Sequence, residues 1–319
     1  MAIAPADFSS IAPDPNTPAS NSPASSTPVA VSARSQLSFM QRLMRHRLAQ
    51  IGIAIIALLL LAAIFAAKIS PFDPKALADN GLSSLGEPHP PGGGFLLGAD
   101  LLGRDVWTRV LYGTRIALVV AICAMLSSVL IGTLIGLMSG FFGGWVDVFF
   151  TRITETVMSL PTVLLAISLF ALLPGDSANQ RLFKLLLAIT LVTWTGIARA
   201  VRGLVLSLKE REFVEAARAL GTSNARILWT HLLPNVLPTV LVLATLAVAH
   251  NILLEAGLSY LGQGIDPSEP SWGSMIKDGE KFMLSAPWIL LSSGSAIILA
   301  VTGFNLLGRA LEETLETRR

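Results

Sequence analysis

Long apolar stretches constrain the fold of this chain more than any other feature. Residues 116–141 carry no charged side chain, and a run of this length exceeds the roughly 20 residues that an α-helix needs to cross a bilayer. Lipid offers no hydrogen-bond partners, so a single spanning segment of this kind is predicted to be helical. Of the 319 residues, 52% are hydrophobic and only 14% are charged. These proportions exclude an ordinary soluble domain and indicate an all-α, polytopic membrane protein.

Six membrane-spanning helices are predicted along the chain. The third and fourth have the weakest signals, since the third is short and the fourth has a thin uncharged centre. The predicted spans are residues 51–67, 116–141, 162–173, 182–198, 236–258 and 282–307.

Basic residues predict how these spans are oriented. Arginines cluster before the first span and after the fourth, and the positive-inside bias places such clusters in the cytoplasm. Six spans then put both termini in the cytoplasm. Residues 1–33 are rich in Pro, Ala and Ser, which predicts a disordered tail whose deletion from residue 2 to 30 changes little.

The segment 215–234, EAARALGTSNARILWTHLLP, is a regular polar segment between two long apolar spans. Its alanines favour a first helix over about 209–220, and Gly221 is placed to end it in the left-handed conformation. Thr222 or Ser223 is a candidate cap for a second helix, which Pro234 is predicted to end. The pattern predicts a compact helix-turn-helix on the cytoplasmic side.

Glycines and acidic residues inside the spans add further predictions. Gly132, Gly136 and Gly140 recur every four residues, which places them on one helix face for close packing. Glu255 is costly at membrane depth, so it either belongs to a path or gate or reaches water near the outer end of its span. Asn251, one helical turn earlier, is placed to hydrogen-bond Glu255.

The segment 96–118 is predicted to be a polar lead-in helix stabilised by its own ion pairs. It contains two aspartates and three arginines although it lies in an outer loop. Long loops follow the positive-inside bias weakly, so these arginines do not change the predicted orientation.

The chain lacks the usual motifs of a catalytic or nucleotide-binding protein. It has no GxxxxGK[ST] phosphate loop, no HExxH, no GxSxG and no histidine pair at metal-binding spacing. Its one cysteine, Cys123, excludes an intrachain disulfide, and the net charge of +2 gives no indication of nucleic-acid binding. We therefore expect no cofactor, metal site or enzymatic activity in this chain.

The polar segment resembles the signature loop of bacterial ABC importer permeases. The resemblance is carried by the EAA triplet, a glycine six residues after the Glu and a closing Leu-Pro. His231 stands where the general pattern has an aliphatic residue, as in the peptide-importer branch. The resemblance implies a cytoplasmic coupling loop of residues 205–234 that contacts the ATPase. Within this loop it assigns ATPase coupling to Glu215, Ala216, Ala217, Gly221, His231, Leu233 and Pro234.

Further stretches resemble the same family from about residue 39 to the C-terminus. Residues 98–118 are similar to its GTDxxGRDxxSRxxYGxR segment, and residues 253–276 to its EAxLSFLGLGxxPPxPSWG segment. Arg309 departs from the acidic residue usual there, which leaves the role of the tail open. The matching residues of the outer-loop motif are Asp100, Gly103, Arg104, Asp105 and Arg109.

The resemblance implies the type I ABC importer permease fold and the dipeptide, oligopeptide and nickel importer group. Residues 34–95 then hold the first span and part of the outer loop, and residues 96–319 form the permease core. Such a permease lies in the bacterial cytoplasmic membrane beside a second permease. Two ATPase subunits bind ATP and Mg²⁺, and an extracytoplasmic binding protein delivers the substrate.

Two alternatives remain open at this point. A complex of the same type carries nickel chelates or glutathione instead of peptides. A secondary transporter driven by an ion gradient is the other class, and Glu255 or His250 is then the proton site. No convincing repeat between the two halves, which is common in that class, is visible in the sequence.

Overall fold

The computed structural model describes residues 39–316, which are helical with connecting loops and contain no β-strand. The predicted tail of residues 1–33 lies outside the described residues. The helices are α1 Phe39–Arg45, α2 Arg47–Ile69, α3 Val106–Phe142, α4 Gly144–Met158, α5 Thr162–Leu172, α6 Ala178–Leu208, α7 Glu212–Ala219, α8 Asn224–Arg226, α9 Leu233–Tyr260, α10 Trp272–Glu280 and α11 Pro287–Glu316, with a π-helical turn, Ile227–Leu232, between α8 and α9.

Five helical stretches of the described chain are long and apolar enough to cross a membrane. They contain α2, α3, α6, α9 and α11. Helices α4 and α5 meet at an angle of 94° and together make a sixth, broken span. Pro161 lies at this break, where its missing N–H and its ring prevent a continuous helix. The all-α, six-span prediction is confirmed, and its weak third span is the broken one.

Helices α3 and α6 pack closely through the predicted glycine face. A Cβ atom added at Gly136 would lie 2.7 Å from both the carbonyl oxygen of Ala198 and Cβ of Val201. Gly132 and Gly140 face α6 in the same way, against Ile197 and Val205. Because small residues let helix backbones approach, this contact confirms the role predicted for the three glycines.

The first span is packed against the last. Gly52 of α2 and Gly303 of α11 lie at their crossing, and a Cβ on Gly52 would be 2.8 Å from the carbonyl oxygen of Gly303. Side chains of α2, α3, α9 and α11 share one buried apolar cluster, which also contains Trp272 of α10. The N-terminal span is therefore integrated into the helical bundle.

The predicted lead-in helix over 96–118 is wrong for its first ten residues. Residues 96–105 form turns, and α3 starts at Val106. Asp105 caps α3 by accepting a hydrogen bond of 2.8 Å from the backbone N–H of Thr108. Gly98 and Gly103 have φ of +77° and +78°, a left-handed backbone that interrupts a right-handed helix.

Candidate functional site

The predicted coupling segment has one buried face and one exposed face. Val214 and Ala217 of α7 are buried, whereas Glu215 and Ala216 are exposed. Gly221 ends the helical turn with φ of +74°, as the sequence predicts. Of the two candidate caps, Ser223 accepts from the backbone N–H of Arg226 at 3.4 Å.

The predicted end of the second helix at Pro234 is wrong. The helix continues without a break from Asn224 to Tyr260, so the second helix of the segment is the N-terminal end of the fifth span. A π-helical turn, Ile227–Leu232, ends two residues before Pro234. Its wider hydrogen-bonding ring accommodates a proline that lacks an N–H and would crowd a regular α-helical turn.

The buried face of the segment is packed on the spans beneath it. Ile227 and Leu232 are fully buried, and with Val214 and Ala217 they join an apolar cluster that contains residues of α3 and α6. Leu233 packs at the edge of this cluster, and Asn235 Nδ2 donates to the carbonyl oxygen of half-buried His231 at 2.6 Å. The segment is therefore attached by side-chain packing to two membrane helices.

The exposed face combines apolar side chains with a carboxylate. Leu220 is 86% exposed, Trp229 is 55% exposed, and Phe213 is also uncovered. Pro234 is exposed at the other end of the segment. Large uncovered apolar side chains beside Glu215 are characteristic of a contact surface for another chain.

An ion pair that the sequence did not predict lies beside the coupling segment. Asp147 of α4 accepts from Nε and Nη2 of Arg202 on α6, at 2.5 and 2.6 Å. Ser139 of α3 also donates to Asp147, and Lys209 Nζ donates to the carbonyl oxygen of Gly140 at 3.1 Å. These contacts hold the C-terminal ends of α3 and α6 to the first turn of α4. In the sequence, Asp147 is an acidic residue among apolar neighbours, which is a signal for a buried charge. Its partner Arg202 is 55 residues away, so the sequence did not identify the pair.

The outer-loop residues of the motif are brought together in a buried charge network. Asp100 Oδ2 lies 2.7 Å from Arg104 Nε and 3.4 Å from Arg109 Nε. Arg109 Nη1 donates to the carbonyl oxygen of Pro74 at 3.2 Å. Asp105 caps α3 as described above, and Gly103 supplies the turn. The network stabilises the loop that precedes the N-terminal end of α3.

Helix α10 was not predicted and closes this outer network. Its Asp278 is half-buried. Burial raises the pKa of the Asp278 carboxyl group, and the positive charges of Arg104 and Arg109 oppose that rise. The signal for α10 was the short amphipathic stretch after Ser271, hidden in a segment rich in turn residues.

Glu255 does not reach water, and its predicted hydrogen bond with Asn251 is not formed. Glu255 is 1% exposed, and its Oε1 accepts from the hydroxyl groups of Ser259 at 2.7 Å and Ser271 at 3.0 Å. Asn251 Nδ2 instead donates to the carbonyl oxygen of Ala121 at 3.2 Å. The two side chains are buried on α9, where Glu255 fixes the start of α10 and Asn251 contacts α3.

Comparison with known proteins decides the family. Residues 132–319 match the sequence profile of the binding-protein-dependent transport system inner membrane component family. The chain belongs to that family. Residues 35–88 match the N-terminal transmembrane domain of oligopeptide transport permease C, so the first span and the start of the outer loop have their own match.

Curated relatives of this inner membrane component cover most of its length. It is 36% identical to the dipeptide transport system permease protein DppC of Alkalihalophilus pseudofirmus over 74% of this chain and 78% of that protein. It is also 36% identical to the oligopeptide transport system permease protein OppC of Bacillus subtilis, over 80% of this chain and 81% of that protein. The glutathione transport system permease protein GsiD of Escherichia coli O157:H7 is 36% identical, over 80% of this chain and 82% of that protein.

Proposed function

We propose that this chain is the permease subunit of an ATP-driven importer of dipeptides or oligopeptides. It forms half of the translocation path, beside a second, similar permease in the bacterial cytoplasmic membrane. An extracytoplasmic binding protein delivers the cargo. The names of two relatives, a dipeptide permease and an oligopeptide permease, support peptides as cargo.

The observation that carries this proposal is the two-faced coupling segment. Its buried face is packed on α3 and α6, whereas its exposed face presents Glu215, Leu220 and Trp229. A separate ATPase subunit seated on the exposed face moves the segment when it closes on ATP and Mg²⁺. The packed face then tilts the membrane helices, as in a shear motion between rigid elements.

The orientation is part of the proposal. The basic residues Arg199, Arg202, Lys209 and Arg211 surround the inner end of α6, which favours the cytoplasm for the coupling segment. Both termini then lie in the cytoplasm. The network around Asp100 and Arg109 lies on the opposite side, where the binding protein docks.

ATP-dependent uptake tests the proposal. Proteoliposomes containing the complete complex, loaded with ATP and Mg²⁺, are expected to accumulate a labelled dipeptide only when the binding protein is present. Glu215→Lys is expected to abolish uptake while the chain stays in the membrane. Uptake that persists without ATP hydrolysis but collapses with the proton gradient would instead indicate a secondary transporter.

Competition between cargoes separates the remaining substrates. Unlabelled dipeptides and tripeptides are expected to compete with the labelled dipeptide. Because one group of relatives is named for glutathione transport, glutathione belongs in the same experiment, as does a nickel chelate. Competition by glutathione alone would reassign the cargo and leave the ATP-driven mechanism intact.

A further inference from the structure

A cavity with a mixed polar and apolar lining lies beside the ion pair between Asp147 and Arg202. It has a volume of about 450 Å³, is open on one side, and is lined mainly by residues of α3, α4 and α6. Its polar lining includes Ser139, Thr151, Glu155, Arg199 and Arg202, and the remaining lining is largely apolar. The volume falls within the range of roughly 300–1,000 Å³ that is typical of small-molecule sites.

The charges in this cavity are not balanced. Arg202 is held by Asp147, and Glu155 is paired with Arg152 at 3.0 Å. Arg199 is exposed, and within residues 39–316 it forms no ion pair. The lining therefore presents one guanidinium group without a counter-charge.

The helix face around Arg199 is uncovered by this chain. Gly196 and Gly203 lie one turn before and after it on α6, and a Cβ added to either would meet nothing within 4 Å. A free guanidinium group on a membrane helix is costly unless it faces water or an anion. This face therefore requires an aqueous space or a negatively charged ligand.

We propose that this cavity is a cargo subsite in which Arg199 binds the terminal carboxylate of a short peptide. The inference rests on the proposed function and assigns residues to its path. A guanidinium group matches the two oxygens of a carboxylate. Glu155 lines the same cavity and exchanges its exposed partner Arg152 for the peptide amino group, and the apolar lining accepts the side chains. An anionic lipid headgroup suits the cavity less well, because Glu155 would repel it.

Protection of an engineered cysteine tests the subsite without requiring transport. Ser159 lines the cavity, so Ser159→Cys is made in a Cys123→Ser background that removes the one native cysteine. In inside-out vesicles that contain the full complex, 10 mM dipeptide is expected to slow labelling by a maleimide about tenfold. The same dipeptide with an amidated C-terminus is expected to protect much less, because one charge-assisted contact is lost.

Variants at position 199 complete the test. Arg199→Gln is expected to remove protection by the dipeptide, and Arg199→Lys to retain part of it. Arg115→Gln, an exposed arginine on α3 that lines a different cavity, is expected to keep full protection. An unchanged labelling rate without peptide shows that each variant folds.

Three results would overturn the subsite. The first is that the dipeptide gives no protection although Arg199 is present. The second is equal protection by the dipeptide and by its C-terminally amidated form. The third is a labelling rate that depends on the content of anionic lipid and not on the peptide. Any of them leaves the proposed function standing if ATP-dependent uptake is observed. Absence of that uptake would contradict the proposed function without altering the binding result.

Discussion

Gly221 shows what a single residue contributes to the coupling segment. Its φ of +74° lies in the left-handed region, which costs other L-residues about 1–2 kcal/mol. A Cβ there would meet nothing within 4 Å, so only the backbone conformation requires glycine. The sequence predicted this position because glycine commonly follows a helix end.

Gly221→Val is expected to abolish uptake while leaving the chain in the membrane, because a β-branched residue disfavours the turn that orients α7. Uptake and membrane content are measured together in proteoliposomes. Gly86→Val is the matched control, since Gly86 has φ of +76° and equally open space in the outer loop. Normal uptake by Gly221→Val would show that the turn does not orient a coupling surface.

Asp278 gives a prediction that depends on pH. Burial raises its folded-state pKa above the ordinary value of 3.8, so its contribution to stability is complete below about pH 3.8 and declines as the pH rises through the folded-state pKa. Asp278→Asn removes this dependence. We therefore expect the melting temperature of Asp278→Asn minus that of the parent protein to increase from pH 4 to pH 8. A constant difference would indicate that the pKa of Asp278 is unperturbed.

At the scale of helices, residue patterns predicted that a helix is present better than they predicted where it begins and ends. The spacing of Gly132, Gly136 and Gly140 correctly identified a packing face, because helical period is a local property. Local signals failed at Pro234, where a π-helical turn carries the helix onward. They also failed at residues 96–105, where buried contacts between Asp100 and the arginines favour turns over the helix.

The contact between α3 and α6 is expected to tolerate no added methyl group. Gly136→Ala places Cβ 2.7 Å from the carbonyl oxygen of Ala198, and overpacking of this kind costs about 1–3 kcal/mol. Gly257→Ala is the control, because that position on α9 is open and alanine favours a helix. Thermal unfolding of the solubilised complex should show a lower melting temperature for Gly136→Ala alone. Equal melting temperatures would contradict the close helix contact.

At the scale of the whole molecule, the sequence predicted the bundle of membrane-spanning helices and the family. It did not predict that Arg202 pairs with Asp147, that Ser271 binds Glu255, or that the first span crosses α11 at Gly303. Each of these contacts joins residues on different elements, and their partners are set by packing in three dimensions. Asn251 illustrates the point, since its partner is the backbone of Ala121 on α3, not its helical neighbour Glu255.

The central claim is that a separate ATPase subunit drives this permease through the exposed face of α7. Photocrosslinking from position 216 tests it most directly, because Ala216 is exposed beside Glu215 and accepts a benzophenone side chain without disturbing the buried face. In membranes that contain the complete complex, the probe is predicted to capture the ATPase subunit, and Glu215→Lys to suppress that capture. Capture of the ATPase from a probe at exposed Leu85 in the outer loop, with none from position 216, would contradict the account.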